Sequence, residues 1–101
     1  MGINSILGER MIRAESIIAI KQGISTAEVD DEIAMIDAEQ GKYYGFDSVA
    51  SRIWRLIQEP KPFESIIEAL MNEYDVSRQQ CEEDVSELFE RLYEEGLISI
   101  S

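Results

Sequence analysis

Between Lys42 and Ile57 the apolar period of the chain changes from two to three or four with no loop between. Lys42-Tyr43-Tyr44-Gly45-Phe46 has the aromatic content and alternation of a β-strand, and Val49, Ile53, Trp54, Leu56 and Ile57 follow at helical spacing. Asp47 stands at the join, where its carboxylate can accept from the first-turn N–H groups that a helix leaves unpaired. A strand must therefore run straight into a helix that carries the chain's only Trp. The rest of the chain has to pack around that corner.

Upstream, the patterns predict two more strands, Ser25 to Val29 and Glu32 to Asp37, joined at Asp30-Asp31 by a two-residue turn. Asp tolerates the left-handed backbone such a turn needs. The second strand, Ile33-Ala34-Met35-Ile36, is apolar on both faces and calls for cover on each side. Ala38 to Gly41 reverse the chain into Lys42 to Phe46, completing a three-stranded antiparallel meander. On that third strand Tyr44 and Phe46 face one way, Tyr43 and Gly45 the other. Ser16 to Ile20 reads as a further short strand. In residues 1 to 15, Ile3, Ile6, Leu7 and Met11 have helical spacing that Gly2 and Gly8 weaken, so a short amphipathic helix and a disordered extension both stay open.

Downstream, the first helix spans Ser48 to Gln58 and is stopped by Pro60 and Pro62. A second, Phe63 to Glu73, buries Phe63, Ile66, Ile67, Leu70 and Met71. Ser77 caps a third, Arg78 to Glu95, with the stripe Cys81, Val85, Leu88, Phe89, Leu92 and Tyr93 and a stop at Gly96. Leu97 to Ile100 alternate as a last short strand. The expected fold is α+β and winged-helix-like: a three-stranded antiparallel sheet followed by three helices, with residues 1–15 as an extension and 16–101 as one domain.

With 101 residues, 45% of them apolar, the chain has enough to bury a core without disulfides or metal. It has no apolar run of bilayer length and no signal-peptide pattern, which makes a cytoplasmic protein the expectation. The formal charge of −12, from 9 basic and 21 acidic side chains, argues against nucleic acid and against anionic membranes. In a DNA-binding winged helix the third helix enters the major groove. Here that helix sets Glu82, Glu83, Asp84, Glu87, Glu90, Glu94 and Glu95 against Arg78 and Arg91, and phosphate would repel it. With no His and a single Cys there is no imidazole base and no zinc-ligand spacing, so no catalytic residue, metal or cofactor is expected.

Gly41-Lys42-Tyr43-Tyr44-Gly45-Phe46-Asp47-Ser48-Val49-Ala50-Ser51-Arg52-Ile53-Trp54, then Tyr74-Asp75-Val76, Cys81, Asp84-Val85, Leu88 and Gly96-Leu97-Ile98, resemble the PqqD-like family. These are the recognition elements for precursors of ribosomally made, modified peptides, and the likeness is greatest to the stand-alone members of lasso-peptide biosynthesis. It covers Ser16 to Ile100. Phe46, Asp47 and Ala50 depart from the commoner Leu, Asn and Gly of the family, all conservatively. The resemblance implies a non-catalytic adaptor that binds the precursor's leader segment as an added antiparallel strand. The adaptor would deliver the leader to a transglutaminase-like cysteine protease and an asparagine-synthetase-like, ATP-dependent cyclase.

Carried onto this chain, the leader-binding positions implied are Lys42, Tyr43, Tyr44, Gly45 and Phe46 on the strand, with Cys81, Asp84, Val85, Leu88 and Arg91 on the third helix. The residues themselves also admit a plainer reading. Val85 and Leu88 belong to a stripe that must hold the helix to the sheet, Asp84 and Arg91 suit a solvated face, and Cys81 and Trp54 suit the core. The same module in a pyrroloquinoline quinone or radical-SAM pathway is the nearest alternative, and a winged-helix transcription regulator a more distant one. A monomer is expected, with an exposed edge strand permitting a dimer.

Overall fold

The computed structural model describes residues 12–37 and 40–101. Two small antiparallel sheets and three helices alternate along the chain: β1 (Ile17–Ile20), β2 (Ile24–Val29), β3 (Glu32–Asp37), β4 (Lys42–Gly45), α1 (Ser48–Leu56), β5 (Lys61–Pro62), α2 (Phe63–Glu73), α3 (Arg78–Glu94) and β6 (Ile98–Ile100). The expected meander is present in the order β2-β3-β4. Its first turn places Asp30 at φ 59°, the left-handed conformation that Asp accepts more readily than most residues.

The second sheet, β5-β1-β6, brings the two ends of the described chain together. Ile18 pairs with Ile100 and Ile20 with Ile98, while Ile17 and Ile18 pair on the other side with Pro62 and Lys61. Lys61 and Pro62, expected only as a break between helices, thus also serve as a strand. Pro is tolerated there because β5 is an edge whose missing donor faces away from the ladder. Ile18, Leu97 and Ile98 are fully buried by this clasp. Ile12 is also in the core, and the Ala14 carbonyl accepts from Glu64 N–H at 3.0 Å, so residues 12–15 already belong to the packed structure. The helical pattern read in Ile3, Ile6, Leu7 and Met11 lies outside the described residues.

The helix ends follow their local chemistry. Asp47 accepts from Ala50 N–H at 2.8 Å and Ser77 from Gln80 N–H at 3.2 Å, as expected for N-caps. The reciprocal half of a capping box is not made: the Gln80 oxygen takes no bond from Ser77 N–H, and the Gln80 amide nitrogen donates forward to Asp84. At the other end of α3, Gly96 at φ 80° carries a Schellman turn, with Leu97 N–H donating to the Leu92 carbonyl and Gly96 N–H to that of Tyr93.

Ser51 makes the strand-to-helix corner. Its hydroxyl accepts from Ile33 N–H at 2.8 Å and donates to the Phe46 carbonyl at 3.4 Å, while Phe46 N–H still reaches the Ile33 carbonyl at 2.9 Å. A fully buried hydroxyl thus stands in the ladder where β4 leaves β3 and becomes α1. Around it Phe46 meets Trp54 edge to face, with centroids 5.6 Å apart, and Trp54 is 2% exposed, the core position its neighbours implied.

Two expectations need correction. β3 is covered on one face only: Ile33 and Met35 are buried, but Ile36 is 46% exposed opposite the exposed Tyr43, and Val29, further along the same outer face, is exposed too. The helices all lie on the inner side, and β3 simply carries more apolar residues than its neighbours cover. On α3, Tyr93 is exposed and Ser86 is buried, since the buried stripe advances through Cys81, Val85, Ser86, Phe89 and Leu92. Tyr93 falls one helical step beyond that arc.

Candidate functional site

Alternation along the antiparallel ladder decides which backbone groups of the meander are spoken for. The Phe46 N–H bond to Ile33 fixes the pairs Met35 with Tyr44 and Asp37 with Lys42 as the hydrogen-bonded ones. The N–H and C=O groups of Tyr43 and Gly45 therefore point away from β3, to the outer edge of β4. No strand pairs with that edge among the described residues. By the same alternation β2 turns Thr26 and Glu28 outward on the opposite edge.

Beside the β4 edge lies a cavity of about 440 Å³ walled by α3. Tyr43, Tyr44, Gly45, Phe46, Leu88 and Arg91 line it, together with Asp47, Ala50, Leu92 and Glu95. A smaller hollow of about 140 Å³ on the same helix is lined by Cys81, Asp84 and Val85 with Val49, Leu70, Tyr74 and Val76. It is almost entirely apolar. Lys42 lines neither hollow, but its ammonium sits 3.2 Å from Glu95, which closes one end of the larger. The expected strand and helix residues are thus brought to one side of the molecule, in two hollows in series. A further cavity of about 290 Å³, between Arg13, Phe63 and Arg78, has no strand residue in its lining.

Burial separates these residues. Cys81 and Val85 are 4% and 3% exposed, so they form the floor of the small hollow and belong to the core as well. Leu88 is half-buried and Asp84 and Arg91 are exposed, standing along the rim. Tyr43 is 70% exposed, on the face opposite Tyr44 and Phe46 where the alternation put it. Burial pushes the Cys81 thiol up from its ordinary value, and Asp84 and Glu82 add to the shift, which opposes a reactive thiolate.

At the far end the Tyr44 hydroxyl donates to Glu95 at 2.7 Å. That bond, more than desolvation, raises the Tyr44 pKa to about 12, and with Lys42 it holds the Glu95 carboxyl below its usual range. Asp84 accepts from Gln80 at 2.9 Å. Arg91, like Arg13, has no carboxylate within ion-pair distance among the described residues, although Arg52, Arg55 and Arg78 each have one. Glu95 was not a site candidate in the sequence, yet it lies one turn beyond Arg91 and two beyond Leu88, so the same stripe extended would have included it. Val49, Leu70 and Val76 carried no comparable signal, because only the packing of three helices brings them to the hollow.

The family model described as coenzyme PQQ synthesis protein D (PqqD) matches residues 32–98, which include the meander's last two strands and all three helices. The chain belongs to the PqqD family. This PqqD-family chain is similar to the solved structure "TbiB1 in complex with the TbiA(beta) leader peptide", with 34% identity and a TM-score of 0.76 over 80% of this chain and 94% of that one. It is similar in fold to "Lasso peptide synthetase B1 complexed with the leader peptide", at 24% identity and a TM-score of 0.74 over 81% of this chain and 96% of that one. No curated protein matches it. Among the described residues of this PqqD-family chain there is no group of His, Cys, Asp and Glu able to hold a metal ion, and no helix long and apolar enough to cross a membrane.

Proposed function

We propose that this PqqD-family protein binds the leader segment of a lasso-type precursor peptide, which adds antiparallel to β4 and lies against α3. The observation that carries the reading is the open β4 edge running beside a hollow walled by Leu88 and Arg91, in a chain 34% identical to TbiB1, whose structure holds a leader peptide. Main-chain bonds from Tyr43 and Gly45 would give sequence-tolerant grip, and the hollows would give side-chain selectivity. Cys81 and Val85 would meet the leader only as the floor of the smaller hollow, while Asp84, Leu88 and Arg91 would flank it. Lys42, Tyr44 and Phe46 would support the edge from within.

The protein acts in this reading as a non-catalytic adaptor. A transglutaminase-like cysteine protease and an asparagine-synthetase-like cyclase would take the leader from it, and the acidic surface would speed encounter with a basic leader more than it fixes affinity. The decisive experiment is calorimetric titration with the leader of the lasso-type precursor that this protein would serve. Saturable binding that Leu88→Asp abolishes supports the reading. A folded protein that does not bind that leader contradicts it and favours another peptide pathway.

A further inference from the structure

Among the described residues, Arg91 is the cation on the groove wall that the protein leaves unpaired. Glu87 and Glu95 flank it one turn either way, but Glu95 is engaged by Tyr44 and Lys42, and neither acid lies within ion-pair distance of Arg91. The chain carries a net charge of −12, so an acidic side chain on any bound segment is disfavoured almost everywhere along this surface. The exception is beside Arg91. A carboxylate there would gain a planar, two-pronged partner and displace nothing already bonded.

Geometry also fixes where that carboxylate stands in the segment. β4 runs against α3, since Lys42 meets Glu95 at one end and Val49, just past the other end, shares a hollow with Cys81 and Val85. A segment antiparallel to β4 therefore runs in the same direction as α3, reaching the small apolar hollow first and Arg91 later. From the centre of that hollow, between Cys81 and Val85, to Arg91 is roughly 12 Å along the helix at about 1.5 Å per residue. An extended segment covers roughly 13 Å in about four residues, and an even step returns its side chain to the same face.

We propose that the groove selects peptides carrying an apolar side chain for the Cys81–Val85 hollow and, four residues later, an Asp or Glu that pairs with Arg91. This rests on the strand-addition reading given above. Arg91 is thereby a specificity-determining residue, not merely a solvated one.

The test is selection of a displayed library of random linear peptides on three immobilised proteins: the wild type, Arg91→Gln and Arg91→Glu. Arg91 is exposed, so both variants keep the fold. Wild type should enrich Asp or Glu four residues after an apolar residue, Arg91→Gln should lose that enrichment, and Arg91→Glu should enrich Lys or Arg at the same position. A selected acidic peptide should bind Arg91→Gln about fivefold more weakly, with the difference shrinking as salt rises. Peptides that shift the Tyr43 and Gly45 amides but show no charge preference, or the same preference on all three proteins, overturn this proposal and leave strand addition standing. Selected peptides that leave those amides unmoved overturn both.

Discussion

The meander has two free edges among its described residues, and they differ in what lies beside them. β2 turns the N–H groups of Thr26 and Glu28 outward, yet every β2 residue after Ile24 is exposed, with only Arg55 of α1 reaching back to Glu28. β4 turns out Tyr43 and Gly45, and α3 stands alongside with Leu88, Arg91 and two hollows. Both edges offer the same backbone chemistry. The contrast teaches that unpaired strand groups alone do not suit a partner strand, which also needs somewhere to put alternate side chains; beside the β4 edge α3 supplies two hollows, and this is why the proposed reading puts the leader there.

The harshest way to break that asymmetry is to remove the wall. Val85→Asp places a carboxylate in a 3% exposed position among apolar side chains. It should cost on the order of 3 kcal/mol or more, visible as a large fall in the thermal midpoint. Leu88→Asp, on the half-buried rim, should keep most of the stability and lose more than about tenfold in leader affinity. If both variants merely unfold, Leu88 is core and not wall.

A matched pair of prolines sharpens the comparison further. Gly45→Pro deletes an N–H that β3 does not use, and Thr26→Pro does the same on the other edge. The first should weaken leader binding about tenfold and the second should leave it unchanged, with both proteins folded by circular dichroism. Tyr44→Pro is a poorer test, because its N–H belongs to the β3–β4 ladder.

The smallest effect concerns the closed end of the groove. Tyr44, with a pKa pushed up to about 12, should return toward its ordinary 10 in Glu95→Gln, as read from the Tyr44 ring carbon shift during a pH titration. For Tyr44 the folded value is raised, so its contribution to stability is complete below pH 10 and disappears as pH climbs through about 12. For Glu95 the folded value is lowered, so its contribution is present above the ordinary carboxylate value of 4.5 and disappears as pH falls through the lower folded one. An unchanged Tyr44 titration in Glu95→Gln would mean that the hydroxyl is not held by that carboxylate.

Much of this architecture was legible because it is local. The N-caps Asp47 and Ser77, the helix boundaries of α2, the turn at Asp30 and the stop at Gly96 each follow from one residue's chemistry acting within a turn. The clasp was not legible in the same way. It pairs Ile18 with Ile100 and enlists Lys61 and Pro62, contacts that depend on how the whole chain closes. The open outer face of β3 misled for a related reason: Ile36 and Ala34 look like core, but nothing in their own spacing says whether a second layer exists. The groove divides similarly. Alternation set Tyr43 and Gly45 opposite Tyr44 and Phe46, and the helical stripe included Leu88, but the family resemblance alone pointed to Leu88 and Arg91 as leader-facing, whereas Val49, Leu70 and Val76 join the candidate site only through the packing of three helices.

The most direct measurement is amide hydrogen exchange, residue by residue, on the protein with and without the leader peptide of the lasso-type precursor proposed above. Strand addition to β4 predicts that the Tyr43 and Gly45 amides become protected on binding while Thr26 and Glu28 continue to exchange freely. Saturable binding that leaves Tyr43 and Gly45 unprotected, or that protects the β2 edge instead, would contradict the account.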